Sequence, residues 1–177
     1  MSAAAGLRLA AFAAAIALAI PAGAEDATPA CNGPAYELAR RFVGAWQEFA
    51  VTDEGEQLGG RLDTTLEAGG CAITQAFLGA DGAFSFRSLG YVEAATGQWV
   101  ETYVLSNNRV ATYRWRVEGE DIVIDRIAGG DPAVQRRLRV TFEDADSYRV
   151  VEETSPAASN DWTRGIVTIT RRIAATP

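Results

Sequence analysis

Residues 98–127 read QWVETYVLSNNRVATYRWRVEGEDIVIDRI. Three runs rich in Val, Ile, Thr and aromatic residues are parted there by Ser106-Asn107-Asn108 and by Glu118-Gly119-Glu120. Strand-forming runs separated by short polar turns are successive antiparallel strands. The same rhythm continues outward, with turn signals at Ala95-Thr96-Gly97 and Asp144-Ala145-Asp146. It predicts strands near 46–51, 58–67, 71–79, 83–93, 98–106, 109–118, 121–128, 135–143, 147–154 and 162–173. Ahead of them, Pro34 suits a helical first turn, and Tyr36, Ala39, Phe42 and Val43 recur at helical spacing up to Gly44. The chain therefore reads as all-β, an antiparallel meander closed into a barrel or folded as a sandwich.

The opening stretch also predicts a pairing. With Asn107-Asn108 as a two-residue turn, Leu105 faces Val110, Tyr103 faces Thr112, Glu101 faces Arg114 and Trp99 faces Arg116. With Gly119-Glu120 as the next turn, Arg114 also faces Asp125 and Trp115 faces Ile124. One face then carries Trp99, Glu101, Tyr103, Arg114, Arg116 and Asp125, and the other Val100, Val104, Tyr113, Trp115, Ile122 and Ile124. Patterning favours the apolar row as core, with Glu101, Arg114 and Asp125 as a solvated ladder of small energetic weight. If the mixed row lines a cavity instead, Trp99, Glu101, Tyr103, Arg114 and Arg116 are the candidate ligand-binding residues, and Arg114 would meet an anionic headgroup. A slip of one residue in either turn would rearrange both faces.

Residues 1–24 have the form of an export signal. Arg8 is followed by the apolar stretch Leu9–Ile20, then by Pro21 and the small residues Ala22-Gly23-Ala24. A dozen apolar residues fall short of the roughly twenty that span a bilayer, so cleavage and no stable membrane anchor are expected. Cleavage after Ala24 would leave one domain, residues 25–177, with a net charge of about −8 once Arg8 is gone. An acidic surface argues against nucleic acid or anionic lipid as partner. Export points to a periplasmic or secreted protein. There Cys31 and Cys71 most simply form a disulfide, stabilising the fold by roughly 3–4 kcal/mol.

Gly44-Ala45-Trp46 after a short helix resembles the Gly-x-Trp that opens the first strand of lipocalins and related calycin barrels. There a late-strand arginine packs across the tryptophan and closes the barrel, a role the resemblance gives to Arg171 or Arg172. Gly69-Gly70-Cys71-Ala72, Ser88-Leu89-Gly90-Tyr91, Thr96-Gly97-Gln98-Trp99 and the Ser155–Trp162 segment are similar to uncharacterised exported bacterial proteins with lipocalin-like barrels. In that group the strand after the tight turn tends to read Trp-x-Gln-x-Trp, where this chain has Trp99-Val100-Glu101-Thr102-Tyr103. The segment after Ser155 departs as well. The resemblance implies an up-and-down antiparallel barrel of about 8–10 strands with one short N-terminal helix. It implies no reaction.

Much chemistry is closed to this chain. It has no histidine, so neither a Ser–His–Asp nor a Cys–His system can be assembled, nor a histidine-ligated zinc or haem. No glycine-rich phosphate loop follows a strand, and no acidic cluster has metal-loop spacing, so neither cofactor nor metal is expected. Glu101, Asp125, Glu152 and Glu153 are the carboxylates in or near strands that burial could tune for proton transfer. Three function classes stay open. The first is an exported barrel that binds a small apolar or amphiphilic molecule. The second is a structural or protein–protein interaction module with a filled core. The third is a histidine-free isomerase or lyase using carboxylate and arginine.

Overall fold

A computed structural model describes residues 31–174. The expected leader, residues 1–24, lies outside the described residues. A helix, α1 (Pro34–Arg40), leads into ten strands: β1 (Gly44–Thr52), β2 (Gly55–Glu67), β3 (Ala72–Gly79), β4 (Ser85–Val92) and β5 (Trp99–Leu105), then β6 (Val110–Glu118), β7 (Asp121–Ala128), β8 (Val134–Phe142), β9 (Ser147–Pro156) and β10 (Thr163–Arg172). Each strand pairs antiparallel with its sequence neighbours, and β1 also pairs with β10, so the sheet closes as an all-β barrel. The seam sets Trp46, Gln47, Glu48, Phe49 and Ala50 against Arg172, Arg171, Thr170, Ile169 and Thr168. Closure leaves no unpaired edge to recruit another chain. Register shifts at Glu48/Phe49, Thr112/Tyr113 and Arg164/Val167 supply the local twist that closure requires.

The pairing of β5 with β6 differs from the sequence expectation. Val104 faces Val110, Tyr103 faces Ala111, Thr102 faces Thr112, Glu101 faces Tyr113 and Val100 faces Arg114. The turn holds three residues rather than two. Asn108 N–H donates to Leu105 O (3.0 Å), Leu105 N–H donates to Arg109 O (2.9 Å), and Asn108 has φ 61°. This is the three-residue hairpin loop that ends in a left-handed residue, a place asparagine fills readily. The added residue slips the register by one and exchanges faces. Trp99, Glu101 and Tyr103 share the inner face with Tyr113, Trp115, Ile122 and Ile124, while Val100, Arg114, Arg116 and Asp125 lie outside. The β6–β7 turn has the expected pairing, with Arg114 opposite Asp125 and Trp115 opposite Ile124.

One end of the barrel is sealed. Helix α1 presents Ala39 to the core, and Phe42 just after it enters the barrel edge-on to Trp115, Phe142 and Tyr148, with ring centroids 5.1, 5.0 and 5.3 Å away. Trp46, with no exposed surface, donates its indole N–H to Phe42 O at 2.7 Å. The Arg172 guanidinium lies over the Trp46 ring, 4.0 Å from its centroid, and donates to Val43 O (2.7 Å) and Asp146 Oδ1 (2.9 Å). Gly44 makes room for it, because a Cβ there would collide with Arg172 Nη1. The Cys31–Cys71 disulfide, with Cα atoms 5.0 Å apart, ties the segment before α1 to the start of β3.

Gly44 also has φ +134°, a conformation that costs a side-chain-bearing residue about 1–3 kcal/mol. Gly44→Ala is therefore expected to lower the unfolding free energy by about 2 kcal/mol or more, read as a lower urea midpoint. An unchanged midpoint would show that the Arg172 seat is not stabilising.

Candidate ligand cavity

The inner face encloses a cavity of about 660 Å³ that runs from the aromatic seal to the loops at the other end. Its walls are largely aromatic and aliphatic. Phe77 stacks on Phe86 with centroids 5.2 Å apart, Phe86 meets Tyr103 edge-on at 5.2 Å, and Tyr103 meets Tyr113 at 5.4 Å. Leu62, Ile124, Leu138 and Val140 fill between the rings, and Phe42, Trp115 and Tyr148 form the deep end. Ala80, Asp81, Phe84, Arg109 and Gly130 stand at the mouth. Strand alternation builds this lining directly, since inner positions two apart on β3, β4 and β5 carry the rings.

A few polar groups interrupt the apolar wall. Tyr103 Oη donates to Gln75 Oε1 (3.4 Å), and Gln75 Nε2 donates to Thr64 Oγ1 (3.3 Å). Near the mouth Arg136 Nη2 donates to Glu152 Oε2 at 2.5 Å, and Arg126 Nη2 donates to Asp131 O at 2.9 Å and to Val134 O. Glu48 faces the cavity from β1, and burial raises its carboxyl above the ordinary value. Among the described residues it has no hydrogen-bond or ion-pair partner.

Glu101 sits behind this wall with no exposed surface. Its Oε1 accepts from Ser88 Oγ at 2.5 Å, and its Oε2 has no partner. Burial pushes the Glu101 carboxyl up to about 7, against the smaller pull of the Ser88 and Tyr103 hydroxyls. Burial also raises the Tyr103 phenol well above its ordinary value, and the neighbouring Glu101 carboxylate raises it further.

Of the residues picked out from sequence, Tyr103 lines the cavity. Trp99 and Glu101 are on the inner face but buried beneath it. Trp99 stacks beside Trp115 (5.6 Å) and lies so close to Gly90 that a Cβ there would meet its indole nitrogen at 2.6 Å. Arg114 and Arg116 do not join them. The slipped register turns both outward, where Arg114 lies 3.5 Å from Glu93 Oε2 and Arg116 donates to Asp125 Oδ2 at 2.6 Å and to Glu118. The ladder expected of Glu101, Arg114 and Asp125 is accordingly not formed, because Glu101 occupies the opposite face. Sequence reasoning passes over Glu48, Gln75 and Tyr148, and reads Tyr113 only as core. A polar residue within an apolar inner row, as in Ile73-x-Gln75-x-Phe77, is the available signal. Among the described residues no group of acidic or cysteine side chains could hold a metal ion, and no helix is long and apolar enough to cross a membrane.

No family model matches the chain, and no curated protein does either. Among solved structures it is similar to a de novo designed fluorescence-activating β-barrel, at 16% identity over 76% of this chain and 96% of that one, with a TM-score of 0.39. It is also similar to EF1p2_mFAP2b bound to DFHBI, at 11% identity over 79% of this chain and 100% of that one, with a TM-score of 0.35.

Glu101 makes stability depend on pH. Its folded value of about 7 lies above the ordinary 4.5, so the folded state keeps a proton that the unfolded chain releases. The stabilisation is complete below the unfolded value and is lost as pH rises through the folded one. Unfolding titrations from pH 4 to 8 are expected to show the wild type losing roughly 3 kcal/mol relative to Glu101→Gln across that window. Parallel curves would mean that Glu101 is not held protonated.

Proposed function

We propose that this chain is an exported protein whose barrel binds a small apolar or amphiphilic molecule. The observation that carries this reading is the cavity of about 660 Å³, sealed at one end by Phe42 and Trp115 and bounded at the other by loops. Ligand pockets of roughly 300–1,000 Å³ have this character, a mostly apolar lining with a few placed polar groups. A filled-core interaction module would leave no such space. Export is supported by the form of residues 1–24 and by the Cys31–Cys71 bridge, a bond that persists in oxidising compartments.

Two measurements test this reading. A neutral, environment-sensitive naphthalene dye such as prodan is expected to bind saturably at one site, and Leu138→Trp, which fills the cavity, to weaken it at least tenfold. Absence of saturable binding to the wild type would sink the ligand reading. For export, N-terminal sequencing of protein recovered from a bacterial periplasm is expected to begin at Glu25. A chain that still carries residues 1–24 would overturn it.

A further inference from the structure

The charges of the barrel are sorted by position. Every basic side chain is an arginine, and those that line the cavity, Arg109, Arg126 and Arg136, stand toward the mouth. Arg136 is engaged by Glu152 and Arg126 by the carbonyls of Asp131 and Val134, while the Arg109 guanidinium has no hydrogen-bond or ion-pair partner among the described residues. The deep half has the opposite character. Glu48 looks into the cavity from β1 without a partner among the described residues, directly across the seam from the buried Thr170. Behind the wall, Glu101 has one oxygen unpartnered and no exposed surface.

Tyr148, which lies opposite Thr170 on β9 and whose phenol value burial raises, feels the charges of Glu48 and Glu101, which raise that value further, and of Arg172, which lowers it. The groups around Tyr148 and the two carboxyls are mostly hydroxyls, Ser88 from β4, Tyr103 from β5, Tyr113 from β6 and Thr170 from β10, and the one cation whose charge reaches Tyr148 is Arg172. On the sealed side Arg172 is occupied with Trp46, Val43 and Asp146, and Arg41 lies over the Phe142 ring. Glu101, fully buried, and Glu48, half-buried, have no counter-ion among the described residues, so each either keeps a proton or gains when a cation enters.

We propose that the deep end of the cavity takes the protonated nitrogen of an amphiphilic amine, with Glu48 as its counter-ion and the apolar tail directed toward the mouth. The ammonium donates to the Glu48 carboxylate and lies among the faces of Trp115, Tyr113 and Tyr148, while Glu101 adds negative potential from behind. This deepens the ligand-binding reading and rests on it. It also reverses the charge that a mixed inner row would bring, the alternative in which Arg114 meets an anionic headgroup.

Three probes with one tail decide it: octylamine, octanol and octanoate, each competed against bound prodan at pH 8. Octylamine is expected to displace the dye at a concentration at least tenfold below octanol, with octanoate weakest. Glu48→Gln is expected to remove most of the amine preference, read as the ratio of octylamine to octanol affinity, and Glu101→Gln to reduce that ratio severalfold. Octanol or octanoate binding as tightly as octylamine would overturn the proposal, as would an amine preference intact in Glu48→Gln. The wild-type probe series decides the matter even if a variant fails to fold. Dye binding without amine preference defeats this inference alone, whereas failure of the wild type to bind any dye defeats the ligand reading too.

Discussion

The hydrogen-bonded seam between β1 and β10 is the constraint from which the rest follows. A ten-stranded meander has two raw edges until those strands meet, and without that meeting it has no interior. The seam carries its own lock, since Trp46 and Arg172 are direct partners across it and the arginine lies on the indole face. Phe42, inserted from just beyond α1, fills the end that the lock defines. An inside exists because two elements from opposite ends of the sequence are held together.

Given that inside, the sorting of side chains is mostly strand alternation. The outer surface gathers cross-strand ion pairs on β6 to β9, including Arg116 with Asp125, Arg139 with Asp121 and Arg137 with Glu153. These pairs are half-buried, and surface pairs of this kind contribute modestly each. The inner face is not uniformly apolar, and there the balance changes. Glu101 sits in full burial with half its hydrogen-bonding capacity unused, a placement that opposes stability above neutral pH. Local features that work against stability concentrate where a molecule acts on something else.

Most of the architecture was legible from the residues, and the reasons are local. Turn signals and strand-forming runs set element boundaries within a few residues, and one helix was visible from Pro34 and the spacing of Ala39 and Phe42. The disulfide followed from two cysteines alone. The candidate site was less legible because it depends on register. A loop of three residues and one of two look alike in Ser106-Asn107-Asn108, and only the left-handed backbone of Asn108 distinguishes them. That single residue decides whether Glu101 shares a face with Arg114 or with Tyr113. Glu48 was hidden differently, since nothing in β1 alone distinguishes an inward carboxylate from an outward one.

The up-and-down order of the strands has a consequence for how the chain is made. Nine of the ten strand pairings join sequence neighbours and can form as each hairpin completes, while the tenth joins the first strand to the last. Bringing distant segments together carries the largest loop-closure entropy, so it is the slow step in such a topology. A nascent chain lacking its final strand exposes the β1 and β9 edges and a wet interior. Proofreading of the barrel is thereby deferred to its last few residues, and a ribosome stalled before Arg172 releases an open, adhesive ribbon rather than a smaller container.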